Sequence, residues 1–214
     1  IRLEAYEKGI HASFMPKPLS GIPGSAMFLY QSLFDHDGNN LFWARGEGSI
    51  HHLSKTAQHY VAGILKYAPE FALITNPTVN SYKRLVPSGE VPCYATYKPG
   101  KELSRRIELR GPDPTCNPYL IMAVTLAAGM RGIADELPLP PESTVPFDQL
   151  AESGAARLPR DLGEAIREFE NSEFVHETLG DHIFNYFLDE KRREWAEYSQ
   201  TVTDWELRHY YGGF

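Results

Sequence analysis

Apolar residues recur at helical spacing in two long stretches of the chain and alternate with charged residues in one short stretch. In "LSKTAQHYVAGILKYAPEFALIT" (53–75), Ala57, Val61, Ile64, Leu65 and Ala68 fall at three- and four-residue steps. That spacing predicts a helix with Ser54 as its N-cap. "NPYLIMAVTLAAGMRGIADEL" (117–137) predicts a second helix, interrupted by so few polar residues that most of its circumference should be covered. "SAMFLYQSLF" (25–34) is dense in aromatic and apolar residues and stops at "DHDGNN", a turn signal. "NPTVNSYKRLVPSGEVP" (76–92) is punctuated by Pro and Asn, and little in it reads as core.

The alternating stretch is Arg106-Ile107-Glu108-Leu109-Arg110, the pattern of a half-buried β-strand. Successive strand side chains point to opposite faces, so Ile107 and Leu109 share one face and Arg106, Glu108 and Arg110 the other. Beyond residue 137 the chain becomes a charged helical tail. Leu162, Ile166 and Phe169 form one apolar stripe, and Ile183, Phe184, Phe187 and Leu188 another. Asp161 fits an N-cap with Glu164 completing a capping box, and "LGDH" (179–182) reads as a turn between helices. The boundary divides a sheet-and-helix part, 1–137, from a helical part, 138–214. The fold class is α+β: an antiparallel sheet with packed helices and a helical C-terminal tail.

Composition narrows the partners more than the fold. With 42% hydrophobic and 23% charged residues the chain is ordinary globular material. A net charge of −7 argues against nucleic acid or an anionic membrane as the main partner. No apolar run approaches a transmembrane helix, and "IRLEAYEKGI" lacks the basic-then-apolar pattern of a secretory signal. Cys93 and Cys116 read as free thiols in a reducing, cytoplasmic setting, with a bridge between them as the other reading. The opening residue is not Met, which suits a processed or truncated piece.

The familiar short motifs of phosphate, dinucleotide, zinc and nucleophile chemistry are missing from the sequence. What remains is a set of charged residues in otherwise structural segments: Lys83 and Arg84, Glu90, and the Arg106/Glu108/Arg110 face. Any one of them alone is most simply a solvated charge. Two guanidinium groups flanking a carboxylate at two-residue spacing suit an anionic or metal-chelated ligand, because Arg binds carboxylate and phosphate in a fork and Glu can hold a divalent cation. His51, His52 and His59 lie at and inside the start of the first helix, where surface or cap roles fit better than a metal cluster. The tail aromatics, Phe184, Tyr186, Phe187, Trp195, Tyr198 and Trp205, read as core and packing surface.

Four segments, in order and across essentially the whole chain, resemble the glutamine synthetase family. "FMPKPLSGIPGSAM" resembles that family's "FMPKP…GSGMH". "NPTVNSYKRLVPSGEVP" resembles "NPTxNSYKRLVPGYEAP". "RIELRGPDPTCNPYL" resembles "RIExRxPDPxANPYL", and "TVTDWELRHYY" resembles the family's ending. The resemblance implies ATP-dependent ligation of ammonia to glutamate through γ-glutamyl phosphate, with Mg²⁺ or Mn²⁺ at the phosphates. It implies that Arg84, Arg110 and Gly24 hold glutamate, and that Arg106 and Ser32 serve ATP. It further implies that Glu108 is a metal ligand and that Glu90 binds ammonium and accepts its proton. The full-length protein would be a homo-oligomer.

The departures are as specific. Phe28 and Tyr30 stand where the family has a metal-ligating His and an ATP-contacting His, and Pro23 stands where Asn is usual. Thr96 joins Tyr97 directly, where the family carries an "NRS" loop with two further arginines. The family's N-terminal β-grasp domain and most metal-binding carboxylates do not occur in these residues. The chain is therefore expected to be inactive by itself. A γ-glutamyl-amine or polyamine ligase, and a degenerate relative without catalysis, are the alternative readings.

Overall fold

The computed structural model describes residues 1–44, 52–86, 106–141 and 156–212, and the backbone of 97–99. A short helix, α1 (Arg2–Glu7), precedes strand β1 (Leu29–Gln31). Helices α2 (Lys55–Tyr67), α3 (Ala72–Thr75) and α4 (Ser81–Arg84) follow, then strands β2 (Tyr97–Pro99) and β3 (Ile107–Leu109). The chain ends in α5 (Pro118–Ala134), α6 (Leu162–Glu170), α7 (Glu173–Gln200) and α8 (Asp204–Tyr210). The strands form an antiparallel sheet in the order β1-β3-β2, with Tyr30 opposite Glu108 on one side and Lys98 opposite Glu108 on the other. The α+β expectation holds.

Alternation along β3 is realised as expected: Ile107 and Leu109 are buried, while Arg106 and Arg110 are exposed. The long helix predicted over 53–75 is instead two helices. Ser54 caps α2 by accepting a hydrogen bond from the Ala57 N–H at 3.0 Å. The helix ends at Tyr67 because Pro69 has no N–H for the ladder and its ring crowds the preceding turn, and α3 resumes at Ala72. The segment after it also departs from expectation. Asn76, Ser81, Tyr82 and Leu85 are all buried, so the Pro- and Asn-rich stretch enters the core.

Helix α5 begins on Asn117, whose side chain accepts from the Tyr119 and Leu120 N–H groups, with Pro118 in the first helical position. It packs tightly on α2. A Cβ on Gly63 would lie 2.1 Å from the Ala128 carbonyl oxygen, and one on Gly132 would lie 2.2 Å from that of His59. Tyr60 lies flush against Gly129 in the same crossing. The opposite side of α5 is not covered as its composition predicts: Tyr119, Met122, Leu126 and Met130 are exposed.

In the tail, Asp161 caps α6 through the Glu164 N–H at 2.7 Å. Glu164 reaches back to the Arg160 N–H, one residue before the cap, rather than to the cap itself. Gly180 takes a φ of 70° inside α7 and breaks its helical path within the predicted turn. Phe169 stacks on Phe184 with centroids 4.7 Å apart, whereas Tyr186 and Trp205 are exposed, so the tail aromatics divide between core and surface. His59 bonds the Leu137 carbonyl oxygen through Nδ1 at 2.7 Å and His52 is exposed; His51 lies outside the described residues. One hydrophobic core runs from Phe42 to Leu188, joining the helical tail to the sheet-bearing part. Among the described residues no helix is long and apolar enough to cross a membrane.

Cys116 is a buried free thiol whose Sγ lies 3.7 Å from the Met27 sulfur; Cys93 lies outside the described residues. Burial pushes its pKa up to about 11. Only the thiolate reacts, so at pH 8 in native buffer Cys116 should resist iodoacetamide and become labelled on adding urea, read by peptide mass spectrometry. Gly63→Ala should lower stability by about 2 kcal/mol, because a backbone clash outweighs the gain in helix propensity. A urea midpoint equal to that of the unaltered chain would contradict the tight crossing.

Candidate active site

The alternating strand sets the geometry. Register places Tyr30 across from Glu108 and, continued by one residue each way, Phe28 across from Arg110 and Ser32 across from Arg106. These six residues share the outer face of β1 and β3. The Arg106 guanidinium lies over the Tyr30 ring at 4.3 Å, and that of Arg110 over the Phe28 ring at 4.8 Å. Arg110 Nε also sits 3.2 Å from a Glu108 carboxylate oxygen. The row is thus two cations and one anion, with Phe28 and Tyr30 about half exposed beside it.

Behind the row lies a buried polar network. Arg84 is 2% exposed and donates to the Gly111 carbonyl at 2.9 Å and to the Arg110 carbonyl at 3.1 Å. Burial depresses its pKa, opposed by the attraction of Asp113. Asn76, also fully buried, donates to the Gly111 carbonyl and to the Asp113 carboxylate. Asp113 in turn accepts from the Thr115 N–H at 2.9 Å. The Arg84 Nε–H is buried and has no hydrogen-bond partner among the described residues.

Gly24 completes this corner. A Cβ there would lie 2.1 Å from the Pro16 carbonyl oxygen and 3.5 Å from the Arg84 Cδ. The same oxygen accepts from the Ser25 N–H at 2.8 Å. Lys17 and Asn80 exchange a pair of hydrogen bonds, 2.7 and 3.0 Å, which docks the "MPKP" loop on the segment that carries Arg84. The structure therefore brings Gly24 and Arg84 into contact beside the end of β3. It brings Ser32, Arg106, Glu108 and Arg110 to one face. Arg84 lies beneath that face and holds its backbone. Glu90 lies outside the described residues, as do Thr96 and its junction with Tyr97.

Asn76 and Asp113 were not singled out in the sequence, although "NPT" and "PDP" contain them. Their signal would have been two polar residues placed next to prolines that fix the backbone around them. A divalent cation of the Mg²⁺ type needs about six oxygen ligands. Among the described residues of this face Glu108 alone offers a carboxylate, and it is engaged by Arg110. Among the described residues no group of three or more His, Cys, Asp or Glu side chains could hold a metal ion. These residues do not fit a metal centre.

The chain matches the family profile described as "Glutamine synthetase, catalytic domain" over residues 1–210. It is 45% identical to the glutamine synthetase of Methanosarcina mazei over 96% of its length, and 43% identical to that of Mycolicibacterium smegmatis over the same share. It covers 49% and 50% of those two proteins, so it spans about half the length of the curated relatives it matches. Among solved structures it resembles "Apo GmaS without ligand" (34% identity, TM-score 0.84) across 99% of this chain and 50% of that one. It also resembles "GmaS/ADP complex-Conformation 1" (33% identity, TM-score 0.82) across 97% of this chain and 50% of that one.

Replacing Arg84 by Met should remove about 2–4 kcal/mol of stability, because two carbonyls lose a charged donor in a buried site. Arg84→Lys should recover part of that loss, since an ammonium cannot span both carbonyls as a guanidinium fork does. Urea denaturation of the three proteins checks the order Arg, Lys, Met.

Proposed function

We propose that this chain, which belongs to the glutamine synthetase family by its catalytic domain, forms part of an ATP-dependent ligase that joins ammonia to glutamate. The observation that carries this reading is the outward row of Arg106, Glu108 and Arg110, backed by Arg84 and Gly24 at one end. Nucleotide use has independent support from the ADP complex of the similar GmaS fold.

In this reaction a γ-carboxylate oxygen of glutamate attacks the γ-phosphorus of ATP. The bridging P–O bond breaks, ADP leaves, and an acyl phosphate forms. Ammonia then attacks the acyl carbon, phosphate departs, and the nitrogen gives up a proton. Phosphoryl transfer spreads negative charge over the equatorial oxygens, so a fixed guanidinium beside them lowers the barrier. Arg106 takes that place, with Ser32 opposite it on the nucleotide side. Arg110 and the Gly24 backbone hold the carboxylates of glutamate, and Arg84, which the family resemblance also assigns to glutamate, supports them from beneath by holding the Arg110 and Gly111 carbonyls. Glu90 accepts the proton from ammonium.

The full-length protein works in a cytoplasmic homo-oligomer in this reading. A ligase that uses a larger amine, and a relative without catalysis, are separated from it by the acceptor and by turnover.

The test is phosphate release by the full-length protein with ATP and glutamate, first with ammonium, then with methylamine and a polyamine. Release with ammonium, together with trapping of the acyl phosphate by hydroxylamine, is the expected result. Release only with the larger amines would reassign the acceptor. Release with none of them, despite ATP binding, would overturn both enzyme readings. Arg106→Ala should lower kcat about 10²-fold or more, and Arg110→Ala should chiefly raise the KM for glutamate.

A further inference from the structure

We propose that the outer face of β1 and β3 is an anion cradle that works without a divalent cation, in which Phe28 and Tyr30 position two guanidinium groups and Glu108 partners Arg110 instead of ligating metal. Three observations meet here. The first is the donor set. Among the described side chains, those next to Glu108 on this face are Phe28, Tyr30, Arg106 and Arg110, and the strand register adds Lys98 on the β2 side; none of these is an ordinary divalent-cation ligand.

The second is electrostatic. Arg106 and Arg110 against Glu108 leave the described row with one net positive charge, which repels a dication and attracts an oxyanion. Arg110 Nε lies 3.2 Å from the Glu108 carboxylate, whose side chain is only 17% exposed, so a metal would have to displace a guanidinium to reach it.

The third is the stacking. Each arginine lies over one aromatic ring, at 4.3 and 4.8 Å. Such a contact attracts the cation to the ring face and limits the wandering of a long side chain. A guanidinium over a ring still offers its in-plane N–H groups to a fork of oxygens. The ligand class is therefore a phosphate or carboxylate group. Reading this face as the phosphate wall of a ligase favours phosphate, and to that extent the inference rests on the function proposed above.

Manganese binding to the full-length protein, counted by electron paramagnetic resonance, tests the cation half. Glu108→Gln should leave the number of bound ions unchanged. Loss of an ion in Glu108→Gln would overturn the proposal. Calorimetric titration with inorganic phosphate in excess EDTA tests the anion half. Binding that weakens at least about tenfold in Arg106→Ala/Arg110→Ala supports it, and absence of binding in the unaltered protein overturns it. Turnover without metal-free phosphate binding would sink the cradle and leave the ligase reading intact. Metal-free phosphate binding without turnover would do the reverse.

Discussion

A single buried guanidinium organises the end of the sheet. Taking Arg84 out of water costs several kcal/mol, and it stays in place only because the carbonyls of Arg110 and Gly111 accept from it while Asp113 attracts it. Those two carbonyls belong to the residues where β3 gives way to the Gly111-Pro112-Asp113 corner. The clamp therefore sets where the strand stops and where the outward Arg110 side chain starts. Asn76 and Asp113 share the same corner, so the loop after α3 and the loop before α5 are joined through it.

Arginines gathered at one end of the sheet serve opposite purposes here. Arg84 faces inward and satisfies backbone, while Arg106 and Arg110 face outward over aromatic rings. The inner one gives rigidity, while the outer pair is steadied from the side by the rings and, for Arg110, by Glu108. Ile107 and Leu109 anchor the strand between them in the core, and Gln31 ties β1 to α5 through Thr125 at 3.0 Å. A site built on strands held this way can keep its charges in register without a metal to gather them.

Local rules made much of this legible. Alternation located β3 and its charged face, and Ser54 and Asp161 behaved as caps because capping depends on neighbours two or three residues away. Motif resemblance carried the family across the whole chain, where periodicity alone could not distinguish a wet face from a binding one. What escaped depended on distant partners. Nothing near Arg84 announces that it will be buried, since its acceptors lie 26 and 27 residues away. The break at Pro69 was visible but overridden by a helical pattern on both sides of it. The uniform apolarity of α5 concealed which of its sides meets α2, because Gly63, Gly129 and Gly132 mark the contact by absence of side chain rather than by hydrophobicity.

Gly24 carries a consequence for how such a sequence can change over time. Its missing side chain lets the Pro16 carbonyl and the Arg84 stem occupy one small volume. A side chain at 24 would run into the Pro16 carbonyl at its first carbon, and any atoms beyond that carbon would crowd the Arg84 stem and, through it, the peptide groups of 110 and 111. Three segments far apart in the gene are thereby bound to a shared mutational fate. Drift at one is tolerated only when the others shift in step, so variation at positions 16, 24, 84 and 110 should be correlated across descendants of this chain.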